Sequence, residues 1–290
     1  MSMSAATVSV AELQGALRAA WAGQFRPGAE RGRKLVRLPA SPDDGALAGR
    51  VVMVVGCHGG AGASTVALSV ADAAGESGRS ARLLDCASAE CSGLLTAVDA
   101  ELRVERGWRR GRRARLPIDR VAGVLAWVGD VPAPIEESLV PAQVTVLDTG
   151  WGATAVLSGD SWLAQAAGSA AVVLVARATI PALRRLEQVL ATCPPGPVVA
   201  VRGPARWDRS VRATAGPALL AAEAAGRVVR VPADRHLGAS GITCVPLPKA
   251  AAESGRQIFA RVLAAYPQTP AALERLGPSV TNPSRNGLWT

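Results

Sequence analysis

The feature that most constrains the fold is a series of short apolar runs, each followed by a loop or a stretch with helical periodicity. Most runs are continuously apolar, which is typical of strands that are covered on both faces. The predicted strands are Val51–Gly56, Ala81–Asp85, Val124–Val128, Val144–Asp148, Ala171–Ala176, Val198–Arg202 and Val228–Val231. Helical stretches at Ser64–Gly75, Pro181–Thr192 and Arg212–Ala225 alternate with them. This alternation predicts an α/β fold with a doubly wound, mainly parallel sheet.

Residues 1–49 are predicted to form an extension ahead of this sheet. They contain the stretch SVAELQGALRAAWAGQF, which has helical periodicity and a capping residue at Ser9, followed by a basic, turn-rich linker. The sheet domain is predicted over residues 50–268, and residues 269–290 read as an irregular C-terminal tail.

Composition limits the class of protein. Hydrophobic residues make up 49% of the 290 residues and charged residues 19%, so the chain is able to bury a large core and global disorder is excluded. The five cysteines include no CxxC pair, which argues against a disulfide framework or a zinc site. The N-terminus lacks a signal-peptide pattern, and the apolar run Ala170–Ala176 is far shorter than the ~20 residues of a spanning helix. We therefore expect a soluble, cytoplasmic protein.

The first predicted strand is followed by the sequence CHGGAGAST, here called the glycine loop, Cys57–Thr65. Glycines between a buried strand and a helix let the backbone wrap around a phosphate, and the helix N-terminus adds positive potential. Parallel sheets of this kind bind ligands outside the carboxyl ends of their strands. The sequence therefore predicts a phosphate-binding site at that edge.

The glycine loop resembles the deviant Walker A motif of the MinD/ParA family of P-loop ATPases, K-G-G-x-G-K-[ST]. The matching residues are Gly59, Gly60, Gly62 and Ser64. Both lysines of the motif are replaced. His58 stands at the family's signature lysine, which reaches across a dimer interface, and Ala63 stands at the lysine that contacts the β- and γ-phosphates.

Two further segments resemble the switch regions of the same family. The first switch segment, ARLLDCASAECSGLL, contains the second strand and the loop after it. Asp85 matches the first aspartate of the family's D-x-D pattern. Ala87 replaces the second aspartate, which in the family positions the attacking water. The second switch segment, VTVLDTGWG, resembles the D-x-P-x-G pattern: Asp148 and Gly152 match, and Gly150 stands in for the proline.

The base-binding side of the family is represented by two later segments. GPVVAVRG occupies the strand that normally ends in an adenine-binding asparagine, and Arg202 falls there instead. VVRVPADRHLGASG resembles the last strand and base-contacting loop, with matches at Pro232 and Asp234. Five segments in the right order, over Arg50–Tyr266, imply the family's fold.

The resemblance implies ATP and Mg²⁺ as cofactors. The implied nucleotide-binding residues are His58, Gly59, Gly60, Gly62, Ala63, Ser64, Thr65, Arg202, Pro232 and Asp234, and the implied metal ligands are Ser64, Asp85 and Asp148. Because both lysines and the second aspartate are replaced, we expect weak ATP binding without efficient hydrolysis. The resemblance also implies a homodimer with a protein partner or cargo, in a scaffold, localisation or partition role in pilus, secretion, conjugation or DNA segregation machinery.

Two alternatives stay open at this level. One is an active ATPase in which an arginine replaces the P-loop lysine, and the other is a non-specific DNA-binding module on the same fold. Both draw on a net charge of +9 and on the run RVERGWRRGRRARLP, predicted as a surface connection that contacts DNA or anionic lipid or is simply solvated. Its candidate contact residues are Arg106, Trp108, Arg109, Arg110, Arg112 and Arg113.

Overall fold

The computed structural model describes residues 47, 49–135, 142–157, 161–193 and 196–266. The predicted N-terminal helix, its linker and the C-terminal tail lie outside these residues. Within the described part of the chain, no helix is long and apolar enough to cross a membrane.

Nine strands of the described residues form one sheet, in the order β3-β4-β5-β2-β6-β1-β7-β8-β9. The bounds are β1 Arg50–Gly56, β2 Ala81–Asp85, β3 Ala100–Glu105, β4 Trp108–Arg113, β5 Leu116–Val121, β6 Val144–Asp148, β7 Ala171–Arg177, β8 Val198–Gly203 and β9 Val228–Pro232. All neighbours from β5 to β9 pair in parallel, whereas β4 runs antiparallel to both β3 and β5. The predicted doubly wound, mainly parallel α/β fold is confirmed.

Helices cover both faces of the sheet. Their bounds are α1 Ala63–Glu76, α2 Ala153–Leu157, α3 Trp162–Ala167, α4 Ile180–Thr192, α5 Arg209–Arg212, α6 Pro217–Ala224, α7 Arg235–Ser240 and α8 Lys249–Ala265. Helices α1 and α8 contribute to the apolar cluster on one face, and α2, α3, α4 and α6 to the cluster on the other. Alternate residues of β1 enter opposite clusters: Val52 and Val54 lie in the first, Met53 and Val55 in the second.

The predicted strand Val124–Val128 is wrong. Residues 122–135 form an irregular loop with one 3₁₀ turn, and its apolar side chains are core-packing groups: Val128 is fully buried, and Leu125 and Trp127 pack against the same cluster. The strand that pairs with β2 in this part of the sheet is β5, which is earlier in the chain and more polar.

Indole groups fasten this loop. The Trp108 Nε1–H donates to the Ala133 carbonyl oxygen at 2.9 Å, and the Trp162 Nε1–H donates to the Val131 carbonyl oxygen at 3.1 Å. Each tryptophan thus satisfies a loop carbonyl while its ring fills the core. Trp108 is only 1% exposed, so its ring is not available as the contact residue for DNA or lipid that the sequence predicted.

The arginine run is strand, not a surface connection. It supplies all of β4 and parts of its two neighbours, and two of its arginines are used inside the fold. Arg110 pairs with Asp119 on the adjacent strand at 3.1 Å, and buried Arg113 binds both carboxylate oxygens of Asp72 on α1 at 2.8 Å. Arg113 also donates to the Val245 carbonyl oxygen, which ties β4 to the segment before α8.

The predicted helix Arg212–Ala225 is divided into α5 and α6. Pro217 stands in the first turn of α6 and Gly216 precedes it in extended conformation, which is the usual arrangement at a helix start. The carboxylate of Glu187 accepts hydrogen bonds from the N–H groups of Ala218 and Leu219, so α4 supplies the cap that α6 lacks in its own sequence.

Replacing the buried arginine of the run separates its structural role from a surface role. Arg113→Ala leaves the Asp72 carboxylate without its partner, so we expect the free energy of unfolding to fall by about 3 kcal/mol. Arg112→Ala, at the exposed neighbouring position, is the control and should change it by less than about 0.5 kcal/mol. Urea denaturation measures both values, and equal effects of the two substitutions would contradict the assignment.

Candidate functional site

The glycine loop and the two switch segments meet at one edge of the sheet. The loop follows β1, Asp85 ends β2 and Asp148 ends β6, and β6 lies between β1 and β2. In the parallel register Asp148 is opposite Val54 on one side and Asp85 on the other. Because these strands are parallel, their carboxyl ends bring the three motifs together, as the sequence predicted.

The glycine loop presents unpaired backbone donors. Gly62 is the N-cap residue of α1 with φ of +98°, a left-handed conformation that favours glycine, and no side chain caps the helix. Within the described residues, no acceptor pairs with the N–H groups of Gly59, Gly60, Gly62, Ala63, Ser64 and Thr65. Such a set of converging donors at a helix N-terminus is suited to bind an anion, with phosphate the common case.

The residues at the two lysine positions bring no positive charge to the loop. Ala63 packs its methyl group against the core cluster beside α1. His58 Nε2 lies 3.1 Å from the Arg177 backbone N–H, so this nitrogen must be the acceptor. His58 Nδ1 therefore carries the proton and donates to the Gly59 carbonyl oxygen at 2.8 Å. With both nitrogens engaged in this way, the imidazole is neutral and braces the loop against the end of β7.

Asp85 and Asp148 form a buried pair of carboxylates. Asp148 is 1% exposed, and neither of its oxygens has a partner in hydrogen-bond geometry, although the Ser64 hydroxyl and the Gly150 N–H lie near enough to favour its ionised form. Asp85 accepts from the Ala87 N–H at 3.1 Å and from the Ser92 hydroxyl. Burial raises the pKa of Asp85 to about 6; burial and the charge of Asp85 raise the pKa of Asp148 to about 7.

The residues present fit a magnesium ion. Orphaned buried carboxylate oxygens of Asp148, the Asp85 carboxylate and the Ser64 hydroxyl are the oxygen donors that Mg²⁺ prefers, with one or two carboxylates completed by phosphates and water. Among the described residues no cluster of three or more His, Cys, Asp or Glu side chains suits a metal, so a site made wholly of such side chains is not seen there. A cation between the two aspartates would relieve the charge that burial disfavours.

Ser92 and Gly93 of the first switch segment cover this oxygen cluster. A Cβ at Gly93 would lie 2.5 Å from the Ser64 Oγ, so the backbone of the first switch segment packs closely against the Ser64 hydroxyl. The Ser92 hydroxyl donates to Asp85 and accepts from the Leu94 N–H at 3.1 Å. Neither residue was predicted from the sequence, because both fall in the variable loop that follows the D-x-D pattern.

The two switch segments are in direct contact where the second aspartate of the family would stand. Ala87 is 3% exposed, and a Cβ at Gly150, whose φ is +67°, would lie 2.4 Å from the Ala87 Cβ. The Trp151 Nε1–H donates to the Cys86 carbonyl oxygen at 2.8 Å. The position that would hold a water-orienting carboxylate is thus a closed apolar contact.

The base-binding positions differ from the expected arrangement. Arg202, near the end of β8, extends its side chain over Gly62 instead of staying on the base side. Pro232 ends β9 beside Gly203 in the register. Asp234 Oδ1 accepts from the Leu237 N–H at 2.9 Å and caps α7, so this oxygen is already engaged by the fold.

The arginine run lies far from the glycine loop within one chain. Strand β4 is separated from β1 by β5, β2 and β6, which at ~4.8 Å per strand gives about 19 Å. Arg106, Arg109 and Arg112 are exposed, whereas Arg110 and Arg113 are paired with aspartates. A cis arginine from this run is therefore badly placed to replace the P-loop lysine.

A parallel sheet, a glycine loop after its central strand and an acidic residue on the neighbouring strand define the class of P-loop nucleotide-binding folds. The structure is similar to the MinD cell division protein of Aquifex aeolicus (TM-score 0.45, 14% identity, 74% of this chain and 97% of the other). It is also similar to a plasmid partition protein of Borrelia burgdorferi bound to AMPPNP (0.43, 11%, 75% and 99%) and to MinD of Pyrococcus horikoshii complexed with Mg-ADP (0.41, 19%, 73% and 93%).

No protein-family model matches the sequence, and no curated protein matches it either. At these levels of identity the likeness concerns the fold alone.

Removing the orphaned charge should stabilise the free protein. The pKa of Asp148 is raised from 3.8 to about 7, so its ionisation opposes folding: the penalty is absent below about pH 4, grows towards pH 7 and is complete above it. We expect Asp148→Asn to raise the free energy of unfolding by about 2 kcal/mol at pH 8 and to leave it unchanged at pH 3.5. Denaturation at the two pH values tests this, and destabilisation at pH 8 would show that the carboxylate already has a partner.

Proposed function

We propose that this protein binds a nucleoside triphosphate with Mg²⁺ at the glycine loop, does not hydrolyse it efficiently, and serves as a MinD/ParA-like scaffold or localisation factor. The observation that carries the proposal is the unpaired N–H array of the loop facing the orphaned carboxylate of Asp148. One group needs an anion and the other a cation, and a magnesium–triphosphate supplies both. Homodimerisation and a protein cargo are part of the same proposal.

The absence of the P-loop lysine weakens triphosphate binding but leaves most of the phosphate-binding groups of the glycine loop in place. A hydrogen bond to a charged group contributes about 1.5–3 kcal/mol, so the absence of a lysine at Ala63 corresponds to roughly 10- to 150-fold in affinity. The backbone donors and the positive end of α1 do not depend on that side chain. Ser64, Asp85 and Asp148 are the residues that would hold Mg²⁺, which when bound neutralises phosphate charge.

Hydrolysis lacks its positioning group. In phosphoryl transfer the protein acts mainly by placing the reactants and stabilising charge. Here Ala87 is packed against Gly150, and the neutral His58 is held by two backbone groups. Neither position is able to orient a water molecule or stabilise developing negative charge, which supports binding without turnover.

Ligand binding would change the shape of the first switch segment. Mg²⁺ at Asp85 and Ser64 competes with the Ser92 hydroxyl and with the backbone of Gly93, which now occupy those groups. The segment has to move for the metal to enter, and its movement would report the ligand to a partner protein. A scaffold needs such a reporter and does not need fast turnover.

Restoring the lysine tests whether the loop still has the shape of a phosphate site. We expect Ala63→Lys to tighten Mg-ATP binding by roughly 10- to 150-fold in calorimetry, because the new ammonium group joins donors that are already in place. Neither the wild type nor this variant should release phosphate at a rate above about 0.01 per minute, a rate far below those of working ATPases.

The matched control for this gain is Ala252→Lys, which adds the same charge to helix α8 away from the loop. It should leave the affinity unchanged. The proposal fails if neither the wild type nor Ala63→Lys binds Mg-ATP, and the pseudo-ATPase part fails if the wild type turns over ATP.

A second candidate function, non-specific DNA binding, is favoured by one observation. Five arginines of the run remain exposed on β3, on β4 and in the two turns that flank β4, at one end of the sheet: Arg103, Arg106, Arg109, Arg112 and Arg115. Since Trp108 is buried, this surface offers charge without a stacking ring, which suits duplex backbone more than unpaired bases.

A salt titration decides on this candidate. Phosphate contacts predict that the logarithm of the DNA association constant falls linearly with the logarithm of salt, by about 0.9 for each contact. The triple substitution Arg106→Ala, Arg109→Ala and Arg112→Ala should flatten that slope by about 3. Arg184→Ala with Arg185→Ala, which removes two exposed charges on α4, is the control away from the run and should leave the slope nearly unchanged. No binding at low salt rejects DNA as a ligand.

A further inference from the structure

The side chain of Arg202 lies directly over the glycine loop. Arg202 is in β8, and only β7 separates β8 from β1 in the sheet. A Cβ at Gly62 would lie 2.8 Å from the Arg202 Cδ and 3.6 Å from its Nε and Nη1. The aliphatic stem thus packs on the Gly62 backbone, and the guanidinium stands at the N-terminus of α1.

Among the residues that the structure describes, this guanidinium has no counter-charge. No described residue forms a hydrogen bond or an ion pair with it. The first turn of α1 carries positive potential, and the unpaired N–H groups of the loop add to it, so a cation at this place is unfavourable unless an anion lies between them. The arrangement is suited to a phosphate group held by the loop on one side and the guanidinium on the other.

We infer that Arg202 is the phosphate-binding cation of this site and takes the part that the lysine of the family motif would have at Ala63. The inference rests on the proposed function and names its charged group. The positive charge is carried by a residue of strand β8, whereas the lysine of the family motif would be on helix α1. A guanidinium also offers a planar fork of donors that matches two phosphate oxygens, which an ammonium does not.

The same placement defines the class of ligand. A side chain that holds phosphate is not available to read the base, and Asp234 Oδ1 is engaged in capping α7. The two positions that the family uses for adenine therefore offer little discrimination here. The site should select for a polyphosphate chain and accept adenine and guanine nucleotides alike.

Calorimetry in the presence of Mg²⁺ tests the assignment with ATP, GTP, inorganic tripolyphosphate and adenosine as probes. For the wild type we expect dissociation constants of ATP and GTP within about threefold of each other, measurable binding of tripolyphosphate and none of adenosine. Arg202→Ala should weaken all three phosphate ligands by roughly 10- to 150-fold. Arg202→Lys should lose less, because it keeps the charge, and Arg184→Ala on the other face of the sheet should lose nothing.

A double-mutant cycle separates a phosphate contact from a packing effect. If Arg202 and a lysine at residue 63 have the same role, Ala63→Lys should tighten triphosphate binding by a larger factor in the Arg202→Ala background than in the wild type. If Arg202 only packs on Gly62, Ala63→Lys should multiply the affinity by the same factor in both backgrounds. Thermal unfolding of each variant confirms that the fold is intact.

The outcomes for the inference and for the proposed function are distinct. Failure of the wild type and of Ala63→Lys to bind any triphosphate overturns the proposed function, and this inference with it. Binding by the wild type that is unaffected by Arg202→Ala overturns only the inference. Strong preference for ATP over both GTP and tripolyphosphate would overturn the proposed ligand class, because it would show that the site recognises the adenine base.

Discussion

The site is organised around two carboxylates that the sheet places side by side and away from water. Asp85 and Asp148 are register partners at the ends of β2 and β6, and both are almost fully buried. Each raises the energy of the other's ionised form, and the surrounding dipoles of Ser92 and Ala87 compensate only Asp85. The closed first switch segment and the demand for a cation both follow from this pair.

The tryptophans explain how so irregular a carboxyl edge is held in place. Seven of the ten aromatic residues are Trp, and Trp108, Trp151 and Trp162 each donate an indole N–H to a loop carbonyl. Phenylalanine is smaller and would leave those carbonyls unpaired near the core, which is unfavourable. Tryptophan is the residue that packs like a core side chain and also satisfies a backbone acceptor.

The sequence predicted the strands that are buried through apolar residues. It missed those in which charged residues are buried through ion pairs. Strands β1, β6 and β7 are continuous apolar runs and were predicted almost to the residue. Strand β5, LPIDRV, was missed because it contains two charged residues, Asp119 and Arg120. Both are buried in ion pairs, with Arg110 and Glu101 respectively, and the sequence does not identify these partners. The motifs predicted the edge of the sheet at which the candidate site lies. The position of the Arg202 guanidinium depends on contacts between distant residues, so the sequence did not predict it.

The replaced residues of the site form a consistent set instead of independent losses. Ala87 fits against Gly150, because a Cβ at Gly150 would lie 2.4 Å from the Ala87 Cβ. His58 fills both of its hydrogen bonds with backbone groups, so the loop keeps its shape without the signature lysine. Yet the unpaired donors of the loop and the orphaned oxygens of Asp148 remain, and both destabilise the free protein. A fold without a ligand would be more stable if apolar groups replaced these unpaired polar groups, as they do at Ala87. Under the proposed function, the open groups are those that would bind a metal-bound phosphate, and the closed position at Ala87 is the one that would take part in its hydrolysis.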